Sequence, residues 1–181
     1  VNYSHVIAAD SWDLIAPKLI TIPENTVEST VLYTAQAADA DAGDVLSYSL
    51  VGADASELNI DSSTGDIRLN SSSDYESRSR YEFQVIASDG ALQDTLDVVL
   101  EILDVNEAPK FNSSSEVISV DEVPVHESSI DDLPSVVYSA SASDEDNDTL
   151  LYSLGGTDGS LLTIDASTGA VTLKESADYE T

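Results

Sequence analysis

The chain has no cysteine and no methionine among its 181 residues. Disulfide staples, thiolate metal sites and thiol nucleophiles are therefore excluded. Basic residues are scarce: 6 Lys and Arg stand against 35 Asp and Glu, a net charge of -29. A phosphate backbone needs a basic face, so the charge argues against nucleic acid as a partner, and equally against an anionic membrane surface. Aromatic residues make up 6%, with a single Trp at position 12, too few for an aromatic-rich sugar cleft. No apolar run approaches the roughly 20 residues that span a bilayer, so no membrane insertion is expected. Val1 to Val6 carries neither a basic segment nor a long apolar one, so no signal peptide is expected there. His5 and His126 are the only histidines, and neither lies near a Gly-x-Ser-x-Gly elbow. The expectation is a protein that is not an enzyme.

What the chain does have is self-similarity. Leu46-Ser47-Tyr48-Ser49-Leu50 recurs as Leu150-Leu151-Tyr152-Ser153-Leu154. The run from Asn59 to Leu69, with Asp61-Ser62-Ser63-Thr64-Gly65 inside it, recurs from Thr163 to Leu173, with Asp165-Ala166-Ser167-Thr168-Gly169. Asp74-Tyr75-Glu76 recurs as Asp178-Tyr179-Glu180, and Ala16-Pro17-Lys18 as Ala108-Pro109-Lys110. The offset is about 100 residues, the length of one small β-sandwich.

The hydrophobic content of 41% allows a core, and its period is two. Tyr81, Phe83, Val85 and Ala87 alternate with Glu82, Gln84, Ile86 and Ser88; Leu96, Val98, Leu100 and Ile102 alternate with Asp97, Val99, Glu101 and Leu103. Val31, Tyr33, Ala35 and Ala37 follow the same rule. This predicts strands with one buried face. Ser-Thr-Gly at 63–65 and 167–169 and Asp89-Gly90 mark turns. The expected fold is all-β: a tandem Greek-key, immunoglobulin-like β-sandwich. The predicted division is an N-terminal strand or linker over 1–17, a first repeat over 18–107 and a second over 108–181. The second repeat is expected to have a longer loop around His126 to Pro134 and to lack its last two strands within this chain. Tyr3–Ser11 resembles Tyr81–Gly90, so residues 1–16 are expected to complete a repeat of another copy, in a tandem array or by head-to-tail strand addition.

The acids cluster at strand ends. Glu24 follows the first strand, Asp74 and Glu76 precede the strand over 80–88, and Asp104 and Glu107 follow the last strand. Asp144 and Asp146 lie in a loop of the next repeat. Seven carboxylates are thus expected to converge at one end of a sandwich, a donor set suited to a hard cation with six to eight oxygen ligands. Without the cation each close pair repels by about 1 kcal/mol at ~4 Å in water. Two acidic loops, at 39–44 and 144–148, fail as helix-loop-helix calcium sites because a twelfth-position Glu and flanking helices are missing. Asp54, Glu57, Asp94, Asp97, Glu101, Asp131 and Asp132 read as solvated surface. Asn-x-Ser/Thr patterns begin at Asn2, Asn70, Asn112 and Asn147.

Pro23-Glu24-Asn25, Asp74-Tyr75-Glu76, Asp104-Val105-Asn106-Glu107-Ala108-Pro109 and Asp144-Glu145-Asp146, in this order, resemble the interdomain calcium signature of cadherin repeats. The resemblance covers about residues 18–181. It implies that Glu24, Asp74, Glu76, Asp104, Glu107 and Asp146 hold two inner calcium ions. Asn106, Asp144 and Asp146 would hold an outer one, with backbone oxygens from Val105, Ala108 and Asp148. The linker is one residue short of the family pattern and has Glu at 107 in place of Asp. A further Asp between the last two strands is present as Asp89 and absent from the second repeat, so Asp10 of another copy is a candidate substitute. Asp39, Asp41 and Asp89 would serve a preceding linker, and Glu122, Asp178 and Glu180 a following one. The resemblance implies an extracellular, cell-surface module, stiffened by two to three Ca2+, that spaces or links other copies of itself or cell-surface partners. The short linker and Ser-Thr-Gly turns look like bacterial cadherin-like repeats of adhesins or fibres. The competing expectation is a non-catalytic polysaccharide-binding module.

Overall fold

A computed structural model describes residues 6–7, 16–41, 43–121 and 136–175. They fall into two compact units, residues 1–105 and 106–181, with the boundary inside the Asp104–Pro109 stretch. The expected loop around His126 to Pro134, Trp12, and the Asp178-Tyr179-Glu180 motif lie outside the described residues.

The first unit contains β1 (Val6–Ile7), β2 (Lys18–Pro23), β3 (Tyr33–Thr34), β4 (Ala37–Ala38), β5 (Ser47–Val51), β6 (Leu58–Ile60), β7 (Asp66–Leu69), β8 (Arg80–Ser88) and β9 (Gln93–Leu103). One sheet has the order β2-β9-β8-β5, with β2 parallel to β9 and the other pairs antiparallel. The facing sheet is β3-β7-β6. This is the Greek-key sandwich that the alternation predicts. On β8 the period of two holds throughout: Tyr81, Phe83, Val85 and Ala87 are buried. Tyr81, Phe83 and Val85 meet Val98, Leu100 and Ile102 of β9 and Ile67 and Leu69 of β7 in one core. On β9 the period breaks at Val99, which is buried although its face is otherwise wet. The strand is central, and Val99 stands in register between Leu19 of β2 and Glu82 of β8, covered from both sides.

Val6–Ile7 pairs antiparallel with Ala37–Ala38 of the same chain. The pairing is intramolecular at this dipeptide, where strand addition to another copy was the expectation; residues 1–5 and 8–15 lie outside the described residues.

The second unit holds β10 (Lys110–Phe111), β11 (Tyr138–Ser139), β12 (Ala142–Ser143), β13 (Leu162–Ile164) and β14 (Ala170–Leu173). β11, β14 and β13 form one sheet, and β10 pairs with β12. The order β11-β14-β13 repeats β3-β7-β6, so the internal repeat is real in three dimensions. Matched positions bury differently. Ile67 is fully buried and Val171 nearly so, but Leu162 and Leu173 are half-buried where Leu58 and Leu69 are buried. The described residues of this unit include no counterpart of β8 and β9, which supply half the core of the first. β10 also pairs as β1 does, against the strand equivalent to β4, so the sequence match of Ala108-Pro109-Lys110 to Ala16-Pro17-Lys18 is not a match of topology. A tripeptide carries too little pattern to fix one.

The repeated turn shows why the motif is kept. Asp61 Oδ1 accepts the N–H groups of Ser63 (2.8 Å) and Thr64 (3.0 Å) and the Ser63 hydroxyl (2.6 Å). Asp165 does the same for Ser167 and Thr168. Gly65 sits at φ +77° and donates to Asp61 O, while its carbonyl accepts from Ala35 N–H (2.9 Å). A Cβ there would strike the Ala35 carbonyl oxygen. Both the backbone angle and the approach require glycine.

Two outcomes follow from this turn. Gly65→Ala lowers the stability of the first unit by about 1–3 kcal/mol, read from urea unfolding. The Ser63 hydroxyl, with the two backbone N–H groups, holds the Asp61 carboxyl at about 2 against an ordinary 3.8. Its stabilisation is fully present above the unfolded value and is lost as pH falls through the folded one. The difference in unfolding midpoint between wild type and Asp61→Ala is therefore constant above about pH 5 and shrinks between about pH 4 and 2.

Candidate metal centre

Strand direction decides which loops meet. β2 and β9 run parallel with Pro23 opposite Leu103, so Glu24 and Asp104 leave the sheet side by side. β8 is antiparallel to β9 and starts at Arg80, opposite Glu101. The loop that carries Asp74 and Glu76 into β8 therefore reaches the same pole.

Glu24 ties that pole together. It is only 5% exposed. Its N–H donates to Leu103 O (2.9 Å), which extends the β2–β9 pairing by one bond. Its Oε2 accepts the Tyr75 N–H (3.0 Å) and its Oε1 the Val105 N–H (2.7 Å). The chain turns away at Asn25, where φ is +60°, a conformation Asn tolerates better than most residues. Asn25 N–H donates to Ser73 O (2.8 Å). The buried Ser73 hydroxyl donates to Pro23 O (3.1 Å) and accepts from Thr26 N–H (3.0 Å). Asp74 accepts the Ser77 N–H on Oδ1 (2.8 Å) and the Ser77 hydroxyl on Oδ2 (2.9 Å). These bonds, the backbone one foremost, hold its carboxyl below the usual range. Carboxylate oxygens of Glu24, Asp74 and Glu76 lie within 4.8 Å of one another, and one of Glu76 lies as close to Asp104.

This donor set is all oxygen. Carboxylate oxygens keep lone pairs beyond those that accept N–H groups, so Glu24 and Asp74 can be hydrogen-bonded and ligate at once. Like charges at this spacing repel, and a hard divalent cation reverses the sign. The residues fit calcium.

In the second unit β10 and β12 pair with Lys110 opposite Ser143, so the residues before β10 meet the loop after β12. Glu107 N–H donates to Asp146 Oδ2 (2.8 Å), and Asp146 N–H to Asp144 Oδ1 (3.1 Å). Asp148 N–H reaches the same Asp144 oxygen at 3.4 Å. Asn147, at φ +60°, makes the turn. Lys110 Nζ pairs with Glu145 Oε1 (2.7 Å), an exposed bridge worth little. Asn106 and Ala108 are exposed; the Asn106 amide donates to Glu107 O (2.9 Å).

A second group in the first unit joins Asp39, Asp44 and Asp89, again within 4.8 Å. The expected set had Asp41 in place of Asp44. Asp41 donates its backbone N–H to Asp39 Oδ1 (2.8 Å), as Asp146 does to Asp144, a bond that does not engage its own carboxylate. Asp10, Glu122, Asp178 and Glu180 lie outside the described residues. Asp54, expected as solvated surface, is engaged: Oδ2 accepts the Glu82 N–H (2.7 Å) and Oδ1 pairs with Arg78. The Glu82 bond, foremost, lowers its pKa, with Arg78 adding to the effect. Its partners are 24 and 28 residues away, so no local pattern marked it.

A family model described as "Cadherin domain" matches residues 18–103. The chain belongs to the cadherin-domain family. Mouse Protocadherin Fat 4 is 32% identical over 174 residues, 92% of this chain and 3% of its own length. Cadherin-related hmr-1 of Caenorhabditis elegans is 30% identical over 142 residues, 75% of this chain and 5% of its own. This cadherin chain thus spans a few per cent of the curated relatives it matches. Among solved structures, human Protocadherin-24 EC1-2 is 25% identical, covers 99% of the chain and 81% of its own, and has a TM-score of 0.65. Mouse Cadherin-23 EC22-24 is 27% identical, with 91% and 54% covered and a TM-score of 0.55. Cadherin domains generally bind calcium at their linkers and stand at the cell exterior; this cadherin chain is extracellular, at the cell surface.

Glu24→Gln puts an amide NH2 against the Tyr75 or Val105 N–H and leaves a buried donor unmatched. The expected cost is about 1–3 kcal/mol in calcium-free urea unfolding, before any effect on metal.

Proposed function

We propose that the chain is a calcium-stiffened structural and adhesion module of a surface adhesin or fibre. Glu24, Asp74, Glu76, Asp104 and the Val105 carbonyl of the first unit act with Asn106, Glu107, Ala108, Asp144, Asp146 and Asp148 of the second. Together they hold two to three Ca2+ at the linker. The observation that carries this reading is the buried Glu24, which binds two loops with one carboxylate and stands within 4.8 Å of two more acids. Free of cation, the linker acids repel and the angle between repeats is soft. Neutralised, they fix it, and the chain becomes a spacer that presents other copies or cell-surface partners at a set distance. Val6–Ile7 pairs within its own chain, so strand donation by that dipeptide has no part in the proposal. The groove of about 420 Å³ lined by Tyr75, Arg80, Glu101 and Asp104, among others, offers a sugar one aromatic face, which does not favour polysaccharide binding.

Thermal unfolding and small-angle scattering with and without millimolar calcium test the proposal. Saturation at a hundred times Kd stabilises by about 2.7 kcal/mol per site, so the melting temperature rises, and the distribution of maximum dimensions narrows. Unchanged melting and unchanged dimensions overturn it.

A further inference from the structure

The turn that carries Asp74 and Glu76 is closed by its own bonds: Arg78 N–H to Asp74 O (2.9 Å), and Ser77 to both Asp74 oxygens. Those bonds give the turn a shape but do not seat it on the sheet. The Arg78 side chain helps to do that at three points. Its Nε donates to Arg80 O (3.0 Å), its guanidinium lies 4.6 Å from the Tyr81 ring centroid, and its Nη2 pairs with Asp54 Oδ1. Asp54 comes from the loop after β5, and its other oxygen holds the Glu82 N–H of β8 (2.7 Å). The Asp54 side chain is 13% exposed and that of Arg78 41%.

We propose that Asp54 and Arg78 are positioning residues for the calcium ligands Asp74 and Glu76, an inference that rests on the calcium reading above. A simple exposed ion pair contributes little. This one is bound at both ends to the backbone of β8 and stacked on an aromatic face, so it transmits the position of the strand to the turn. The sign of its effect is diagnostic. Arg78 places a positive charge in the same loop as the acidic ligands. By Coulomb's law alone its removal tightens calcium binding. If its work is to seat the turn, its removal weakens binding.

Calcium is titrated calorimetrically into the 181-residue chain as wild type, Asp54→Asn, Arg78→Gln, Arg78→Lys and the Asn/Gln double variant. The urea midpoint of each calcium-free protein is measured alongside. The expected result is binding weakened on the order of 10-fold in Arg78→Gln and in Asp54→Asn. The double variant is no weaker than either single one, because both remove the same clamp. Arg78→Lys keeps the charge but not the planar fork and lies between wild type and Arg78→Gln. It decides the matter if Arg78→Gln does not fold: weakened binding supports positioning, and wild-type affinity overturns it. Arg78→Gln binding as tightly as wild type or tighter, or a double variant equal to the sum of the singles, also overturns the inference. Failure of the wild type itself to bind calcium overturns the calcium reading, and this inference with it.

Discussion

A carboxylate that is 5% exposed and accepts two backbone N–H bonds is the interaction on which the rest of the first unit's pole depends. Burial of a charge is costly unless hydrogen bonds or counter-charge compensate it. Glu24 receives the first kind of compensation from Tyr75 and Val105. Those donors belong to the loop before β8 and the residues after β9, so the same two bonds that stabilise the charge bring Asp74, Glu76 and Asp104 to it. The gathered acids then need the second kind. On the proposed reading, stability and cation affinity are two consequences of one side chain.

That arrangement requires the parallel pairing of β2 with β9. Had β2 run antiparallel, Glu24 would leave the sheet at the opposite end from Asp104. The sandwich therefore does more than bury Ile67, Val85 and Leu100. It sets three chain segments, far apart in sequence, to end at one place. The second unit uses the same logic on a smaller scale: β10 against β12 puts Glu107 on Asp146. Its acids are placed by two short strands, and its core positions are less buried than their counterparts in the first unit.

Much of this was legible in the residues because it is local or repeated. The alternation on β8 is strict, and the Asp-x-Ser-Thr-Gly turns recur with the same bonds at Asp61 and Asp165. The acids at strand ends stood out because polar residues that close an apolar run have no core to pack into. The misses share a cause. Val99 is buried because its strand is central, which depends on sheet order. Asp44 lies with Asp39 and Asp89 through the shape of its loop, which spacing alone does not give. Asp54 owes its role to Arg78 and Glu82, which no spacing rule connects to it. The likeness of Tyr3–Ser11 to Tyr81–Gly90 points to a strand for another copy, whereas Val6–Ile7 pairs with Ala37–Ala38 of its own chain, because local likeness does not say which edge a strand meets.

The account stands or falls on whether a cation sits at Glu24. The most direct test is a calcium titration of the 15N-labelled chain followed by amide NMR, since the Tyr75 and Val105 N–H groups donate to the two oxygens of that carboxylate. The account predicts that these two amides shift and saturate together, while those of Ser63 and Thr64 in the distant Asp61 turn stay in place. Tyr75 and Val105 resonances unmoved at millimolar calcium would contradict it.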